Sequence, residues 1–386
     1  MIFLDQSGPT PPRRVLSLFG TRPEAIKFAP VIHAMERRGF ETINVNSAQH
    51  RDLLLPLIEH FQIRIDHSLD VMREGQTLNG VAARVLEALD PVLAECRPDA
   101  LLVQGDTTTA MAGALAAWNR QIPVGHIEAG LRSGNPHSPF PEEMNRRLVS
   151  QMANWHFAAT RRNWQTLKRE GVAAESIFIT GNPVIDALKW TLARPGERPP
   201  LGGLLEKLAD RRLIVLTTHR RESFGEVMGA NLETIRDFVD RHEDVAVVFP
   251  VHPNPHVKRV AAEILAGNPR VHLVEPLAYP EFLALLSRAW LLVSDSGGLQ
   301  EEAPSLGKPL LILRENTERP EAVECGAARL IGGSAVRLRR ELEKAHTDDA
   351  WARKVAAMDN PFGNGEAAER IVDALLRPVA AAAAAA

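Results

Sequence analysis

The sequence has few cysteines, no long apolar run and no strong net charge. Its two cysteines, Cys96 and Cys325, lie far apart and form no Cys-x-x-Cys pair, which excludes a disulfide framework and the usual zinc spacing. No apolar run reaches the roughly 18 residues of a membrane-spanning helix, so no membrane insertion is expected. A net charge of −3 gives no global field for nucleic acid, and an anionic ligand would need a local cationic site.

The common cofactor and metal signatures are also missing. No Gly-x-Gly-x-x-Gly follows a predicted strand, and the Gly-Lys of "SLGKP" lacks the Walker spacing, which disfavours NAD, FAD and P-loop chemistry. No His-Glu-x-x-His occurs, and the prolines at 253 and 255 keep His252 and His256 from sharing a helix face. We therefore expect no cofactor and no metal. The first residues lack the pattern of a signal peptide, and reduced thiols suit a cytoplasmic protein.

Short apolar runs alternate with longer amphipathic stretches along the chain. The runs that predict buried strands are 14–20, 42–48, 100–106, 124–130, 155–160, 213–219, 245–251, 271–276, 290–296 and 309–315. Helical spacing lies between them, for example at 23–39 and 76–96. Repeated β-α alternation predicts an α/β fold with parallel sheets and helices on both faces.

A Pro-, Gly- and charge-rich stretch near 194–211 interrupts this alternation, and we interpret its first part as an interdomain linker. The predicted divisions are an N-terminal extension (1–13), a Rossmann-like domain (14–193), a second Rossmann-like domain (203–365), a C-terminal helix (366–379) and a poly-Ala tail (380–386). Doubly wound sheets bind ligands at the carboxyl ends of their strands, so we expect two such domains to face a central cleft.

Polar residues follow several predicted strands of the first domain. In "FGTRPEAIKFAP", Arg22 and Lys27 lie where a strand ends and a helix begins, which suits a phosphate as well as a solvated helix turn. In "QGDTTTAMAG", Asp106 follows a strand. Asp106 or Thr107 could cap the next helix, so both a catalytic and a capping role for Asp106 stay open.

Three glutamates lie close together in sequence around a Gly/Pro/Ser-rich loop. Glu128 in "GHIEAGLRSG" ends a strand among apolar neighbours, where glutamate is unusual unless it has a partner such as Arg132 or a function. In "FPEEMNRRL", Pro141 suits the first helical position and Glu142 and Glu143 complement the helix dipole. Capping therefore explains this pair when the segment is taken alone.

The second domain carries the strongest local signal for a phosphate site. In "VSDSGGLQEEAPSLGKP", a strand ends in Ser296, Gly297 and Gly298 and a helix follows, so backbone N–H groups can approach a diphosphate closely. Glu302 lies about one turn further on, where a carboxylate could accept ribose hydroxyls. His219 in "LTTHRRESFG" also follows a strand and suits either phosphate binding or packing.

Taken together, these segments resemble one family, the non-hydrolysing UDP-N-acetylglucosamine 2-epimerases. The matching stretches are "FGTRPEAIKFAP", "AQHR", "QGDTTT", "PVGHIEAGLRSG", "SPFPEEMNR", "ITGNPVIDAL", "THRRESFG", "PVHPNP", "SDSGGLQEEAPSLGKP" and "TERPEAV". They occur in order from about 19 to 323. The resemblance implies a glycosyltransferase-B-like fold, a homodimer, and reversible conversion of UDP-GlcNAc to UDP-ManNAc for cell-envelope polysaccharide.

The resemblance also implies roles for individual residues. It makes Asp106, Glu128 and Glu142 the catalytic carboxylates and His219 the histidine on the diphosphate side. The sugar-nucleotide ligands that it implies are Arg22, Lys27, Ser296, Gly297, Gly298, Glu302 and Arg319, with Leu277 and Phe282 of "EPLAYPEF" at the uracil. Gln49, His50 and His252 fit the pattern of an activating second UDP-GlcNAc site. Asp52 and Gly75 replace longer polar or basic side chains of that pattern, which does not favour allosteric activation.

The chemistry explains why carboxylates and cations are needed together. The hydrogen on C2 of the sugar has no neighbouring carbonyl, so the resemblance implies elimination of UDP to 2-acetamidoglucal and re-addition to the opposite face. Cations and N–H groups must hold the leaving diphosphate, and carboxylates must take and return the proton. The alternatives are a hydrolysing epimerase and a UDP-sugar transferase of the same fold. Thr107 stands where hydrolysing relatives tend to have arginine, which favours the non-hydrolysing branch.

Overall fold

A computed structural model describes residues 11–48, 51–73, 75–194, 200–218 and 225–377. The chain divides into two compact units. Unit 1 comprises Met1–Ala187 with Phe362–Ala386, and unit 2 comprises Leu188–Pro361. Each unit is built on one parallel sheet, which confirms the predicted α/β class with two doubly wound sheets. The exact domain limits given above stay a prediction.

The sheet of unit 1 has seven strands. They are β1 (Arg14–Phe19), β2 (Glu41–Asn46), β3 (His67–Ser68), β4 (Ala100–Gln104), β5 (Val124–Ala129), β6 (Trp155–Ala158) and β7 (Ile177–Ile179). The spatial order is β3-β2-β1-β4-β5-β6-β7, with every pair parallel. The central strands β4, β5 and β6 are buried along their whole length, as expected when helices cover both faces of a parallel sheet.

Helices connect these strands. They are α1 (Arg22–Arg37), α2 (Arg51–Phe61), α3 (Leu78–Cys96), α4 (Thr108–Asn119), α5 (Glu142–Met152), α6 (Arg161–Arg169) and α7 (Pro183–Leu192), with a 3₁₀ turn at Ala174–Ser176. The apolar faces of α3 and α4 pack against the strands in one continuous core. None of the helices in the described ranges combines the length and the hydropathy that a membrane crossing needs.

Unit 2 repeats the plan with six strands. These are β8 (Arg212–Thr217), β9 (Val245–Pro250), β10 (Val271–Val274), β11 (Leu291–Ser294), β12 (Leu310–Ile312) and β13 (Ala328–Leu330), in the order β10-β9-β8-β11-β12-β13. A 3₁₀ turn at Pro200–Gly203 precedes its helices, which are α8 (Leu204–Lys207), α9 (Glu226–Arg241), α10 (Pro255–Leu265), α11 (Tyr279–Arg288), α12 (Gly297–Ser305), α13 (Pro320–Glu324), α14 (Ala335–Thr347) and α15 (Ala350–Ala356).

The last helix, α16 (Ala367–Leu375), packs against α1 in unit 1. Its first two backbone N–H groups donate to the carboxylate of Asp186 at 3.2 and 2.9 Å, which satisfies donors that an isolated helix start would leave free. Arg37 also forms an ion pair with Glu369 at 2.6 Å. The end of the described chain therefore completes the first unit.

Both sheets reverse their strand order beside the first strand of the unit, and this positions the candidate site. The reversal lies between β1 and β4 in unit 1 and between β8 and β11 in unit 2. Helices leave such neighbouring strands in opposite directions, which opens a crevice at the carboxyl ends of the strands. The turns after β1, β4 and β11 carry Arg22, Asp106 and Ser296, so these residues lie at the two switch points.

All ten predicted strands are present, although each ends one to three residues earlier than predicted. The predicted ends contain turn residues, for example Gly105 with φ of 69°. These residues continue the apolar pattern of the strand, but they lie beyond its last paired residue. Strands β3, β7 and β13 were missed, because segments of two or three residues carry too little periodic signal.

Candidate active site

Arg22 opens helix α1 directly after the turn that follows β1. Thr21 is extended at the helix cap, with φ of −121°, so the first turn of α1 starts at the arginine. Arg22 is half-buried, and burial lowers the pKa of its guanidinium. Within the described parts of the chain it makes no hydrogen bond or ion pair. A half-buried cation without an acidic partner at a helix N-terminus is suited to an anionic ligand.

Glu128 lies at the end of β5 and forms a buried ion pair with Lys27 of α1. The Lys27 Nζ and Glu128 Oε1 atoms are 2.6 Å apart, and the side chains are 7% and 4% exposed. The amide of Asn182 donates to the same oxygen at 3.0 Å, and the amide of Gln104 donates to Oε2. Three donors therefore hold this carboxylate, which favours its ionised form.

The backbone at Glu128 is unusual for a strand end. Its φ is 65°, in the left-handed region that costs a non-glycine residue free energy. The pairing of β5 with β6 shifts register between Ile127 and Ala129, as at a β-bulge, a feature that re-aims side chains. The alternative that Arg132 partners Glu128 is not supported, since Arg132 forms a bidentate ion pair with Glu170, with N–O distances of 2.9 and 2.7 Å.

Asp106 follows the glycine turn at the end of β4. Arg146 of α5 donates to its carboxylate through Nε at 2.8 Å and Nη2 at 2.6 Å. The next residue, Thr107, caps α4 by accepting the N–H of Ala110 at 3.0 Å. The cap thus belongs to Thr107, and the Asp106 carboxylate is left to bond with α5. Asp106 remains partly exposed, which leaves room for a ligand.

The two glutamates that begin α5 differ in environment. The helix starts at Glu142, and Pro141 is the cap residue instead of the predicted first helical residue. Glu143 is fully buried and accepts hydrogen bonds from the Ser133 N–H at 2.9 Å and from Arg146 at 3.0 Å, so it anchors the preceding loop. Glu142 lies in the same turn and is half-buried, so part of its side chain remains accessible.

A buried histidine supports the turn that carries Asp106. His126, on β5, is fully buried, and burial lowers its pKa to about 3. Its Nε2 lies 2.8 Å from the carbonyl oxygen of Gly105, so this nitrogen carries the proton of a neutral ring. The histidine therefore braces the Gly105–Asp106 turn and takes no part in proton transfer near neutral pH.

In unit 2, helix α12 starts at Gly297 with Ser296 at the cap. A Cβ on Gly297 would lie 2.9 Å from Nη1 of Arg319, so only glycine lets this guanidinium lie against the helix start. Among the described residues beyond its own helix, no atom lies within 4 Å of a Cβ built on Gly298, so the described part of unit 2 leaves space at this helix N-terminus. Arg319 itself is buried between Glu301 at 2.6 Å and Glu318 at 2.5 Å.

Glu302 lies further along α12 and is nearly buried. The hydroxyl of Tyr279, the single tyrosine of the chain, donates to its Oε1 at 2.9 Å. Burial raises the pKa of Tyr279 well above its usual value, so the phenol stays protonated as a donor. Leu277 and Phe282 flank the start of α11 and are both half-exposed. Apolar groups and one positioned carboxylate thus lie on neighbouring segments of unit 2.

Three of the predicted residues, His219, Gln49 and His50, lie outside the described residues, and their roles rest on the sequence. His252 is exposed after β9, where its Nδ1 accepts the N–H of Asn254 at 3.2 Å. The second-site prediction therefore stays a prediction.

One group in the described part of the chain has the side chains to hold a metal ion. His242, Asp244 and His346 of unit 2 place potential ligand atoms within 4.8 Å of one another. Both imidazoles already face carboxylates, His346 towards Asp244 at 3.0 Å and His242 towards Glu343 at 2.9 Å. No residue of the predicted site belongs to this group.

Sequence reasoning did not single out four residues that contact predicted site residues within the two units. Gln104 and Asn182 contact Glu128, Arg146 contacts Asp106, and Tyr279 contacts Glu302. All four lie within or beside segments that resemble the family. Each is a polar residue at the end of a buried strand or on a buried helix face. This position could have identified them, because buried polar groups need hydrogen-bond partners.

The comparisons with known proteins agree with this geometry. The profile of the UDP-N-acetylglucosamine 2-epimerase family matches residues 33–376. The chain is 45% identical to the Escherichia coli UDP-N-acetylglucosamine 2-epimerase over 94% of this chain and 98% of that protein. The Neisseria meningitidis UDP-GlcNAc 2-epimerase, solved with UDP-GlcNAc bound, has a TM-score of 0.88 at 39% identity over 94% of this chain and 99% of that one.

A more distant relative has the same fold. The Methanocaldococcus jannaschii UDP-GlcNAc 2-epimerase, solved in complex with UDP-GlcNAc and UDP, has a TM-score of 0.80 at 33% identity over 94% of this chain and 99% of that one. Both the family profile and relatives well above 30% identity cover nearly the whole chain. The chain therefore belongs to the UDP-N-acetylglucosamine 2-epimerase family.

Proposed function

We propose that the protein interconverts UDP-GlcNAc and UDP-ManNAc by eliminating UDP and adding it back. The observation that carries the proposal is the grouping at the carboxyl ends of β1, β4 and β5. There, two carboxylates each face a buried cation, Glu128 with Lys27 and Asp106 with Arg146, and Arg22 has no acidic partner among the residues that the structure describes. Relatives of the same family are named for this reaction.

The reaction balances without a redox cofactor. The base takes the C2 hydrogen as a proton, the electron pair forms the C1–C2 double bond, and the C1–O bond breaks as UDP leaves. In the return step, an acid protonates C2 from the opposite face and UDP adds back at C1. The protein must supply a base, an acid and a cationic site for the diphosphate.

In unit 1 we assign Glu128 and Asp106 to proton transfer and Glu142 to assistance at the sugar. Lys27 and Asn182 keep Glu128 ionised and fix its direction, which is what a base near neutral pH requires. The predicted contact of Lys27 with the sugar nucleotide is kept as part of the proposal. Arg22 is assigned to the diphosphate because it is a half-buried cation at a helix start and, within the described ranges, no carboxylate pairs with it.

In unit 2 we assign the Ser296–Gly298 turn to the diphosphate and Glu302 to the ribose hydroxyls. The open space beside Gly298 and the Tyr279 hydrogen bond to Glu302 support these roles. Leu277 and Phe282 are assigned to the uracil, Arg319 to the support of the α12 N-terminus, and His219 to the diphosphate on the strength of the sequence alone.

Proton NMR of the protein with UDP-GlcNAc in D2O tests the proposal. We expect signals of UDP-ManNAc at C1 and C2 and deuterium at C2 of both sugars. Free ManNAc with UDP would indicate a hydrolysing epimerase, and turnover only with an added acceptor would indicate a transferase. Epimerisation without any exchange at C2 would contradict the elimination route.

Glu128→Gln tests the assignment of the base. The amide keeps the size of the side chain but cannot take a proton, so we expect kcat to fall by about 10²–10⁴-fold. UDP affinity should stay near that of the unaltered protein, measured by calorimetry. Glu170→Gln, which alters a carboxylate paired with Arg132, is the matched control and should leave kcat unchanged.

We also propose a homodimer. Met144 and Leu148 are exposed one turn apart on α5, Phe140 is exposed just before that helix, and Trp118 is exposed on α4, so unit 1 carries exposed apolar side chains that a partner subunit could cover. Light scattering should give the dimer mass, and Leu148→Glu should give a monomer. Val336→Glu, at an exposed apolar residue of unit 2, should leave the mass unchanged. A monomeric unaltered protein would contradict the proposal.

We further propose that the protein acts in the cytoplasm and supplies ManNAc units for cell-envelope polysaccharide, as the resemblance implies. Both cysteines are free in the structure, which suits a reducing compartment. Deleting the gene should remove ManNAc from the envelope polysaccharide, measured by sugar analysis, and fractionation should recover the protein with cytoplasmic markers.

A further inference from the structure

A buried glutamate outside the proposed catalytic set joins two turns of the candidate site. Glu24 lies in the first turn of α1 and is 1% exposed. Its Oε2 accepts the N–H of Gly20 at 3.0 Å and both the N–H and the hydroxyl of Thr21, at 2.8 and 2.7 Å. These bonds hold the turn from β1 into α1, the turn that presents Arg22.

The other oxygen of Glu24 reaches the turn after β4. Its Oε1 accepts a hydrogen bond from the Thr107 hydroxyl at 2.7 Å. The Thr107 oxygen accepts the N–H of Ala110 at 3.0 Å, so the one hydroxyl hydrogen is directed to Glu24. Strands β1 and β4 are neighbours, and this bond fixes the turns that follow them to each other.

The turn held by Thr107 carries Asp106, one of the two proposed proton-transfer groups, and the other, Glu128 of β5, lies against it. Asp106 precedes Thr107 directly, and Arg146 holds its carboxylate from α5. A Cβ on Gly105 would lie 3.4 Å from Oε2 of Glu128, so the Glu128 carboxylate packs against the same turn. A shift of this turn would therefore change the position of Asp106 relative to Glu128.

We propose that Glu24 is a positioning residue for epimerisation, which acts through Thr107 to fix the place of Asp106. The inference rests on the proposed function. In the part of the chain that the structure describes, four donors and no acceptor meet the carboxylate, an environment that only the ionised form satisfies fully. Burial raises the pKa of the Glu24 carboxyl, and the hydrogen bonds from Thr107 and Thr21 oppose that rise.

A matched pair of substitutions at Thr107 tests the inference. Thr107→Val keeps the shape but removes the hydroxyl, and Thr107→Ser keeps the hydroxyl. The free energy of a hydrogen bond to a charged group corresponds to a change of roughly 10- to 150-fold in a rate or equilibrium constant. We therefore expect Thr107→Val to lower kcat by at least about 10-fold. Thr107→Ser should stay within about threefold of the unaltered protein, and Glu24→Gln should resemble Thr107→Val.

A merely structural role predicts a different pattern. Loss of a helix cap lowers stability, and Thr107→Val loses a cap in addition to its bond with Glu24. Thr160→Val removes the cap of α6 in the same way and is the control. We expect both valine variants to melt at lower temperature, but only Thr107→Val to slow turnover and C2 hydrogen exchange together, with UDP affinity unchanged.

The outcomes separate this inference from the proposed function. If the folded Thr107→Val protein turns over as fast as the unaltered protein, the positioning role is wrong and the epimerase function stands. If both valine variants lose the same share of kcat, the effect is structural and the inference is overturned. A folded, unaltered protein that does not epimerise UDP-GlcNAc would overturn the proposed function and this inference with it.

Discussion

Replacing Lys27 with methionine removes one half of the buried pair at the centre of unit 1. Lys27 and Glu128 are almost inaccessible to solvent and 2.6 Å apart. Methionine fills similar space but carries no charge and donates no hydrogen bond. The Glu128 carboxylate would therefore lose its counter-charge while staying buried. Asn182 and Gln104 would still donate to it, but neutral amides do not compensate a buried charge as a cation does.

The expected cost is large. Removing one partner of a buried ion pair destabilises proteins by about 3–5 kcal/mol, because the remaining charge is left uncompensated. For a unit of about 200 residues, where 1 kcal/mol shifts the melting temperature by about 2–4 °C, this corresponds to a fall of about 6–20 °C. The alternative for Glu128 is to take up a proton, which would remove the proposed base and lower kcat as well.

Urea unfolding followed by tryptophan fluorescence measures the cost, and an exposed ion pair provides the control. Lys258→Met breaks the surface pair with Glu275, whose side chains are 44% and 80% exposed, and should cost at most about 1 kcal/mol. The double variant Lys27→Met with Glu128→Gln removes both charges, so it should be more stable than Lys27→Met alone.

Two results would refute this reasoning. Equal costs for Lys27→Met and Lys258→Met would show that the pair at β5 is not desolvated as the structure describes. A double variant whose cost is the sum of the single costs would show that the two charges do not interact. Either result would also remove the physical argument for an ionised Glu128.

The remaining predictions concern the ligand and the pH dependence. Arg22→Gln should weaken UDP binding by about 10- to 150-fold, the value of a charge-assisted hydrogen bond, at unchanged melting temperature, and unchanged affinity in calorimetry would exclude Arg22 from the site. Tyr279→Phe should raise KM for UDP-GlcNAc by about 3- to 10-fold with kcat nearly constant, because Glu302 loses the donor that orients it; an unchanged KM would contradict this. The pKa of His126 is about 3 when folded and about 6.5 when unfolded, so the unfolded chain binds the proton between these values. Stability should therefore fall as pH drops below about 6.5, by about 2 kcal/mol at pH 5 from this residue, and urea unfolding of His126→Gln should show a smaller loss.

Most of the fold could be predicted from the sequence, because strands and helices are indicated by local patterns of apolar and polar residues. Buried parallel strands appear as short apolar runs, and ten such runs became strands of the two sheets. Strand order is not local, but repeated β-α alternation leaves few topologies for a doubly wound sheet. The short edge strands β3, β7 and β13 were missed, since pairing with a neighbour defines them more than their own residues do.

The sequence names residues of the candidate site but not the contacts between them. Lys27 and Glu128 were both singled out, but nothing in two segments a hundred positions apart indicates that they form a pair. Glu143 was assigned a structural role on position alone, and its complete burial with Arg146 agrees with that role. Contacts of this kind depend on which strands become neighbours. Strand order is a property of the whole sheet, so no single segment indicates these contacts.

The pairing of both carboxylates with cations bears on how the proton returns to C2. Glu128 faces Lys27 and Asp106 faces Arg146, so each proposed proton-transfer group has a cation beside it. Epimerisation also needs an acid on the opposite face of the sugar, and that acid must gain its proton during the cycle. In the proposed route one carboxylate takes the C2 hydrogen and another returns a proton from the opposite face, so the returning proton comes from a carboxylate that water has protonated. Each turnover in D2O should therefore place one deuterium at C2 of the product from the first cycle, and mass spectrometry of early UDP-ManNAc that still carries the original hydrogen would show that a single group serves both faces.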